Sequence, residues 1–144
     1  MIGLDTNVLA RYYVASDDAP TQQQSLAAKA LIDSGQRLFV AKTVLLELEW
    51  VLRGYYNSPV ADVVAVLEHL LALPNVELED RQACLWATTA LREGFDFADA
   101  LHHASYRQCA SVATFDDKKF AQRATAKAWK PPVKLMKLAK EAAP

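Results

Sequence analysis

Two cysteines are all that this 144-residue chain contains, Cys84 and Cys109, 25 residues apart and without CxxC spacing. That spacing supports neither a disulfide framework nor a thiolate zinc site, so both are expected to be reduced core thiols of a cytosolic protein. Long apolar runs are also missing. The most apolar stretch, VVAVLEHLLAL (63–73), is interrupted by Glu68 and His69 and falls short of the ~20 residues that span a membrane. No basic segment followed by an apolar run and a cleavage site stands at the start, so no secretory leader is expected. Internal repeats, low-complexity tracts and a linker-like break in composition are absent as well, and the expectation is one domain over 1–144. Hydrophobic residues make up 52%, which fills a core and excludes a disordered chain.

Net charge is small too, −1, but the total hides an asymmetry. Residues 1–117 hold 8 Lys/Arg and 16 Asp/Glu, whereas 118–144 hold 8 Lys/Arg against Glu141 alone. A division of this kind suggests an acidic site beside a basic, anion-binding surface; a solvated basic tail is the plainer alternative.

Short apolar runs at 2–4, 38–41, 76–79, 111–115 and 133–136 read as strands. Between them, helical periodicity covers 8–14, 22–35, 43–54, 59–73, 81–94 and 97–109, with Gly35 and Gly94 as stops and Thr43 as a cap. Strands alternating with helices predict a three-layer α/β fold with a central parallel sheet.

Open parallel sheets bind ligands at the carboxyl ends of their strands. Asp5 follows the first strand, and Asp116–Asp117 follow the run at 111–115. A lone Asp5 would be read as a helix cap. If these strands are neighbours, though, their carboxylates approach closely enough to need a cation. In the helix at 43–54, Glu49 has Arg53 four residues on and reads as a surface ion pair. Glu47 has Thr43, Val44, Trp50 and Val51 as helical neighbours and no base among them, so on an apolar face it would need a distant cation or a metal. Asp96 is the natural N-cap of the helix at 97–109, and Asp99 sits at its third position, where an acid suits the helix dipole. His102 and His103 follow three and four residues later, either as additions to a metal shell or as neutral surface or supporting histidines.

IGLDTNVLARY, VLLELEWVL, DFADALHHA and VATFDDKKF, in this order across residues 1–123, carry a resemblance. The chain resembles the PIN-domain nucleases, and among them the VapC-type toxins of bacterial toxin–antitoxin pairs. The resemblance implies a catalytic set of Asp5, Glu47, Asp99 and Asp116, with Thr6, Asn7 and Thr114 orienting the carboxylates. Asp5, Asp99 and Asp116 are then the main metal ligands, and Glu47 holds a second ion or orients the attacking water. The Asp116–Asp117 doublet leaves either residue as the fourth acid, with Asp116 favoured because the T-F-D match ends there. His102–His103 stand where the family is usually apolar.

Carboxylate oxygens suit Mg²⁺ or Mn²⁺, and the implied reaction is metal-dependent hydrolysis of RNA phosphodiesters. The basic segment from Lys118, Lys119 and Arg123 onward would hold the RNA backbone, a reading from charge position alone. The resemblance further implies a cognate antitoxin that covers the acids, and a homodimer through the early helices. Two other readings are weaker. An aspartyl-phosphate phosphotransferase would also use Asp5, but Asn7 stands where such folds place a second acid. A PIN-like module that binds RNA or protein without cleaving would lack an acid, and all four are present.

Overall fold

The computed structural model describes residues 1–139; Lys140 and the remainder of the basic segment to 144 lie outside the described residues. The order is β1 (Ile2–Gly3), α1 (Thr6–Tyr13), α2 (Ala19–Ile32), β2 (Leu38–Val40), α3 (Lys42–Trp50), α4 (Val60–Ala72), β3 (Val76–Leu78), α5 (Arg81–Arg92), α6 (Phe97–Ser105), β4 (Val112–Thr114), α7 (Gln122–Ala126) and β5 (Val133–Leu135). A π-helical turn extends α3 over Val51–Tyr55, and another spans Asp117–Ala121 ahead of α7. Gly35 and Gly94 follow α2 and α5 with φ of +79° and +95°, the left-handed conformation that ends a helix most readily at glycine.

Every strand pair is parallel, as the alternation of elements predicts. β1, β2 and β3 form one ladder, with Ile2 opposite Leu38 and Leu38 opposite Val76. β4 and β5 form a second, with Val112 opposite Val133. β1 is hydrogen-bonded to β2 and not to β4, so the two acid-bearing strand ends are not adjacent rungs of one ladder.

The helices cover the strands with their apolar stripes. Val63, Val64, Leu67, Leu70 and Leu71 of α4, Leu45 and Leu48 of α3, and Phe97, Ala100 and Leu101 of α6 meet Leu38, Val40, Val76 and Leu78 in a contiguous core. The apolar faces of α3 and α4 are therefore core in large part, and burying each such side chain contributes roughly 1.5–3 kcal/mol. Of the two cysteines, Cys84 is in that core and Cys109 is exposed, because Cys109 falls beyond the end of α6 instead of on its inner face. Thr43 does not cap α3. The N-cap is Ala41, and the Lys42 amide donates to Glu79 Oε1 at 2.9 Å.

The chain after α7 is tied down by Trp129, which stacks on Phe95 at 4.2 Å between ring centroids and lies 4.8 Å from His103. His103 is 2% exposed, and its Nε2 is 2.8 Å from the Pro131 carbonyl. A carbonyl only accepts, so Nε2 carries the proton. This histidine anchors the C-terminal strand and is unavailable as a metal ligand through that nitrogen.

Candidate active site

Each acid stands where its local sequence stops one element and starts another. Asp5 ends β1 and caps α1, its Oδ1 accepting from the Thr6 amide at 2.8 Å. Asp116 follows β4; its Oδ1 accepts from the Lys119 amide at 3.0 Å, and its own amide donates to Thr114 Oγ1 at 3.0 Å. Asp96 caps α6 by accepting from the Asp99 amide at 2.9 Å. Glu47 projects into solvent from the middle of α3. Among the described residues, the second oxygens of Asp5 and Asp116 and both oxygens of Glu47 and Asp99 have no hydrogen-bond partner. Backbone amides thus orient two of the carboxylates while leaving an oxygen of each open.

Packing of α1 on α3 and of α3 on α6 brings three of the acid-bearing helices together. Asp99 is half-buried, and its carboxyl pKa is raised above the usual 3.8, first by burial and then by Asp96 and Asp116, with His102 opposing. Asp116 is therefore within electrostatic reach of Asp99. Asp117 is not among those influences; its Oδ2 accepts from Gln122 Nε2 at 3.0 Å within its own turn.

These residues fit a hard divalent cation by donor type: the set is all oxygen, and one member is already under like-charge pressure. Thr6 adds an orphan, a buried Oγ1 next to Asp5 without a hydrogen-bond partner among the described residues. Such an atom is normally satisfied. Among the described residues, no three acidic, histidine or cysteine side chains close into a metal-gripping cluster. Carboxylates that share a site repel one another, and drawing them to coordination distance requires a cation.

The two glutamates of α3 exchange the places expected of them. Glu47 is exposed, whereas Glu49 is 2% exposed and accepts from Arg53 Nε at 2.8 Å. Two residues of helix turn the side chain by about 200°, and α3 presents its Glu49 side to the core. What reads as a surface ion pair is a buried carboxylate held by a half-exposed arginine. Burial of Glu47 gives no reason for a cation; exposure beside Asp99's helix leaves it accessible to one.

His102 is exposed near Asp99, unlike His103. Asn7 is exposed and lines a cleft of about 330 Å³ between α1 and α2 with Arg11, Gln24 and Leu31, a cleft that contains none of the four acids. Arg123 donates through Nη1 to the Gly94 carbonyl at 2.6 Å, which braces the loop leading to Asp96. Lys118 and Lys119 are exposed and without an ion pair among the described residues.

No helix among the described residues is long and apolar enough to cross a membrane. Neither a curated protein nor a solved structure gives a match to the chain. The family model described as PIN domain matches residues 2–126, a span that includes Asp5, Glu47, Asp99, Asp116 and all but the last of the strands. With its parallel α/β architecture and acids at strand and helix ends, the chain belongs to the PIN domain family.

Proposed function

We propose that this protein is a metal-dependent ribonuclease, a VapC-type toxin that acts in the cytoplasm and is restrained by a cognate antitoxin. The observation that carries the reading is Asp99, half-buried and held under the negative charge of Asp96 and Asp116, within a domain family whose members are commonly metal-dependent nucleases. Asp5, Asp99 and Asp116 would hold Mg²⁺ or Mn²⁺, and Glu47 would hold a second ion or orient the attacking water. Thr6 Oγ1 would hydrogen-bond a ligand of the site, and Thr114, which accepts from the Asp116 amide, would hold the backbone that carries that carboxylate. When bound, the metal supplies a water of lowered pKa and neutralises charge at the attacked phosphate. An antitoxin would shut the site by presenting a cation to the same carboxylates, and a homodimer through the early helices fits the family pattern.

The direct test is purified, partner-free protein incubated with single-stranded RNA. Cleavage is expected with Mg²⁺ or Mn²⁺ and is lost in EDTA; intact RNA with both metals overturns the reading. A small DNA-binding protein encoded just upstream is the expected genomic neighbour.

Lys118 and Lys119 follow the Asp116–Asp117 doublet and are exposed cations available to the RNA backbone. Replacing both with Ala is expected to lower the slope of log K against log salt by about 1.4, since each phosphate contact on a single strand releases roughly 0.7 counterion. An unchanged slope removes them from the binding surface.

A further inference from the structure

Glu49 is a buried carboxylate that the catalytic scheme does not use. Its side chain is 2% exposed, and its hydrogen-bond partner is Arg53 Nε at 2.8 Å, while Arg53 itself is 45% exposed. A buried ion pair is poor evidence of stabilisation, because desolvation offsets the attraction and apolar residues of similar volume do as well. An arrangement of this kind therefore calls for a reason other than stability.

The geometry of the arginine supplies one. Arg53 lies on the π-helical turn at Val51–Tyr55, where the Tyr56 amide reaches back to the Val51 carbonyl at 3.1 Å. Such turns recur at functional sites because the extra residue re-aims the side chains they carry. Among the described residues, Arg53 uses Nε for Glu49 and has no partner for Nη1 or Nη2. A guanidinium pinned through Nε keeps its outer pair of nitrogens in a fixed plane, the fork that grips two oxygens of a phosphate. The turn continues α3, and α3 packs on α6, the helix that carries Asp99; Arg53's proton is held more tightly chiefly by its hydrogen bond to Glu49, with Asp96 adding through space. Asp96 is the cap that orients the Asp99 amide.

We infer that Arg53, fixed by the buried Glu49, is a phosphate-binding residue that holds the RNA backbone at the rim of the acidic site. The inference rests on the ribonuclease reading and extends it. An acidic site repels the polyanion it must cleave, and a rigid cation beside it offsets that repulsion. Glu49 acts through Arg53 and is a positioning residue.

Arg53→Ala leaves Glu49 buried without a partner and endangers folding, so the decisive variant is Glu49→Gln/Arg53→Gln, which removes both charges, is isosteric at the buried position and keeps a polar side chain at the half-exposed one. Binding of a fluorescent single-stranded RNA in EDTA, the salt slope, and KM and kcat for cleavage in Mn²⁺ are to be compared with wild type. The expected result is a roughly 10- to 100-fold rise in Kd and KM, as for loss of a charge-assisted bidentate contact, a slope smaller by about 0.7, and a smaller change in kcat. Arg53→Lys keeps a charge beside Glu49 but loses the fork, and falls between the two. A folded double variant with wild-type Kd, KM and slope overturns the inference and leaves the nuclease reading standing. Wild-type protein that neither binds nor cleaves RNA overturns both.

Discussion

Asp99→Asn is expected to abolish RNA cleavage and, in the same metal-free protein, to raise the melting temperature. The first effect follows from removing a charged oxygen ligand from the proposed three-carboxylate site. A loss of at least about 10³-fold in kcat/KM corresponds to ~4 kcal/mol of transition-state stabilisation, within what a bound metal supplies. The second effect follows from the direction of the pKa shift. Burial, Asp96 and Asp116 raise the folded-state pKa of Asp99 above its ordinary 3.8. Protonation is therefore easier in the folded protein, and the ionised carboxylate destabilises the fold at every pH above the folded value. That penalty shrinks as pH falls through the folded pKa and is gone below the unfolded one. Asparagine carries no charge, so the variant should melt higher at pH 7 in EDTA, and the gain should vanish below about pH 4. Thermal scans across pH 3–8, paired with cleavage assays, check both parts. Retained activity sinks the site assignment, and a lower melting temperature at pH 7 sinks the electrostatic account of Asp99.

Glu47→Gln and Glu49→Gln should fail in opposite ways although two residues separate them. Glu47 is exposed and has no internal partner among the described residues, so its loss is expected to leave stability within about 0.5 kcal/mol of wild type. Activity should fall at least 100-fold, because in the proposed scheme the carboxylate serves the reaction and nothing else. Glu49 is buried and hydrogen-bonded to Arg53. Its replacement removes a charge-assisted bond and frees the arginine, whose half-exposed head then turns to water. A loss of about 1.5–3 kcal/mol is expected, or roughly 3–10 °C in melting temperature for a chain of this size. Its effect on cleavage should be the milder of the two and appear in KM. Calorimetry and steady-state kinetics on the two variants decide the matter, and the reverse order would make Glu49 the catalytic acid.

The local structure around the candidate site was legible before folding because its parts depend on near neighbours. Asp96 caps α6, and Gly35 and Gly94 follow helices in the left-handed conformation, since each depends on a few neighbouring backbone groups. Asp5 and Asp116 fall at strand ends because short apolar runs stop there. At Asp5 one oxygen takes the Thr6 amide and the other stays open, so the cap and the proposed ligand role need not compete.

The residues that sequence misplaced share a different cause. α3 is apolar on most sides, so helical periodicity could not say which of Glu47 and Glu49 faces inward; α1 and α6, packing against it, decided that. His103 became a core residue because Trp129 and Pro131 return to it from a segment 26 or more positions away. Arg53 was visible as a partner for Glu49, but its place near Asp96 was not.

The sequence by itself determined the parallel α/β class, the family and the order of the four acids, because pattern and short-range hydrogen bonding act along the chain. Which carboxylate is buried, which member of Asp116–Asp117 acts on Asp99, and where Arg53 presents its free nitrogens were decided by tertiary structure. Burial and Coulomb interactions act through space, between groups the chain brings together only on folding.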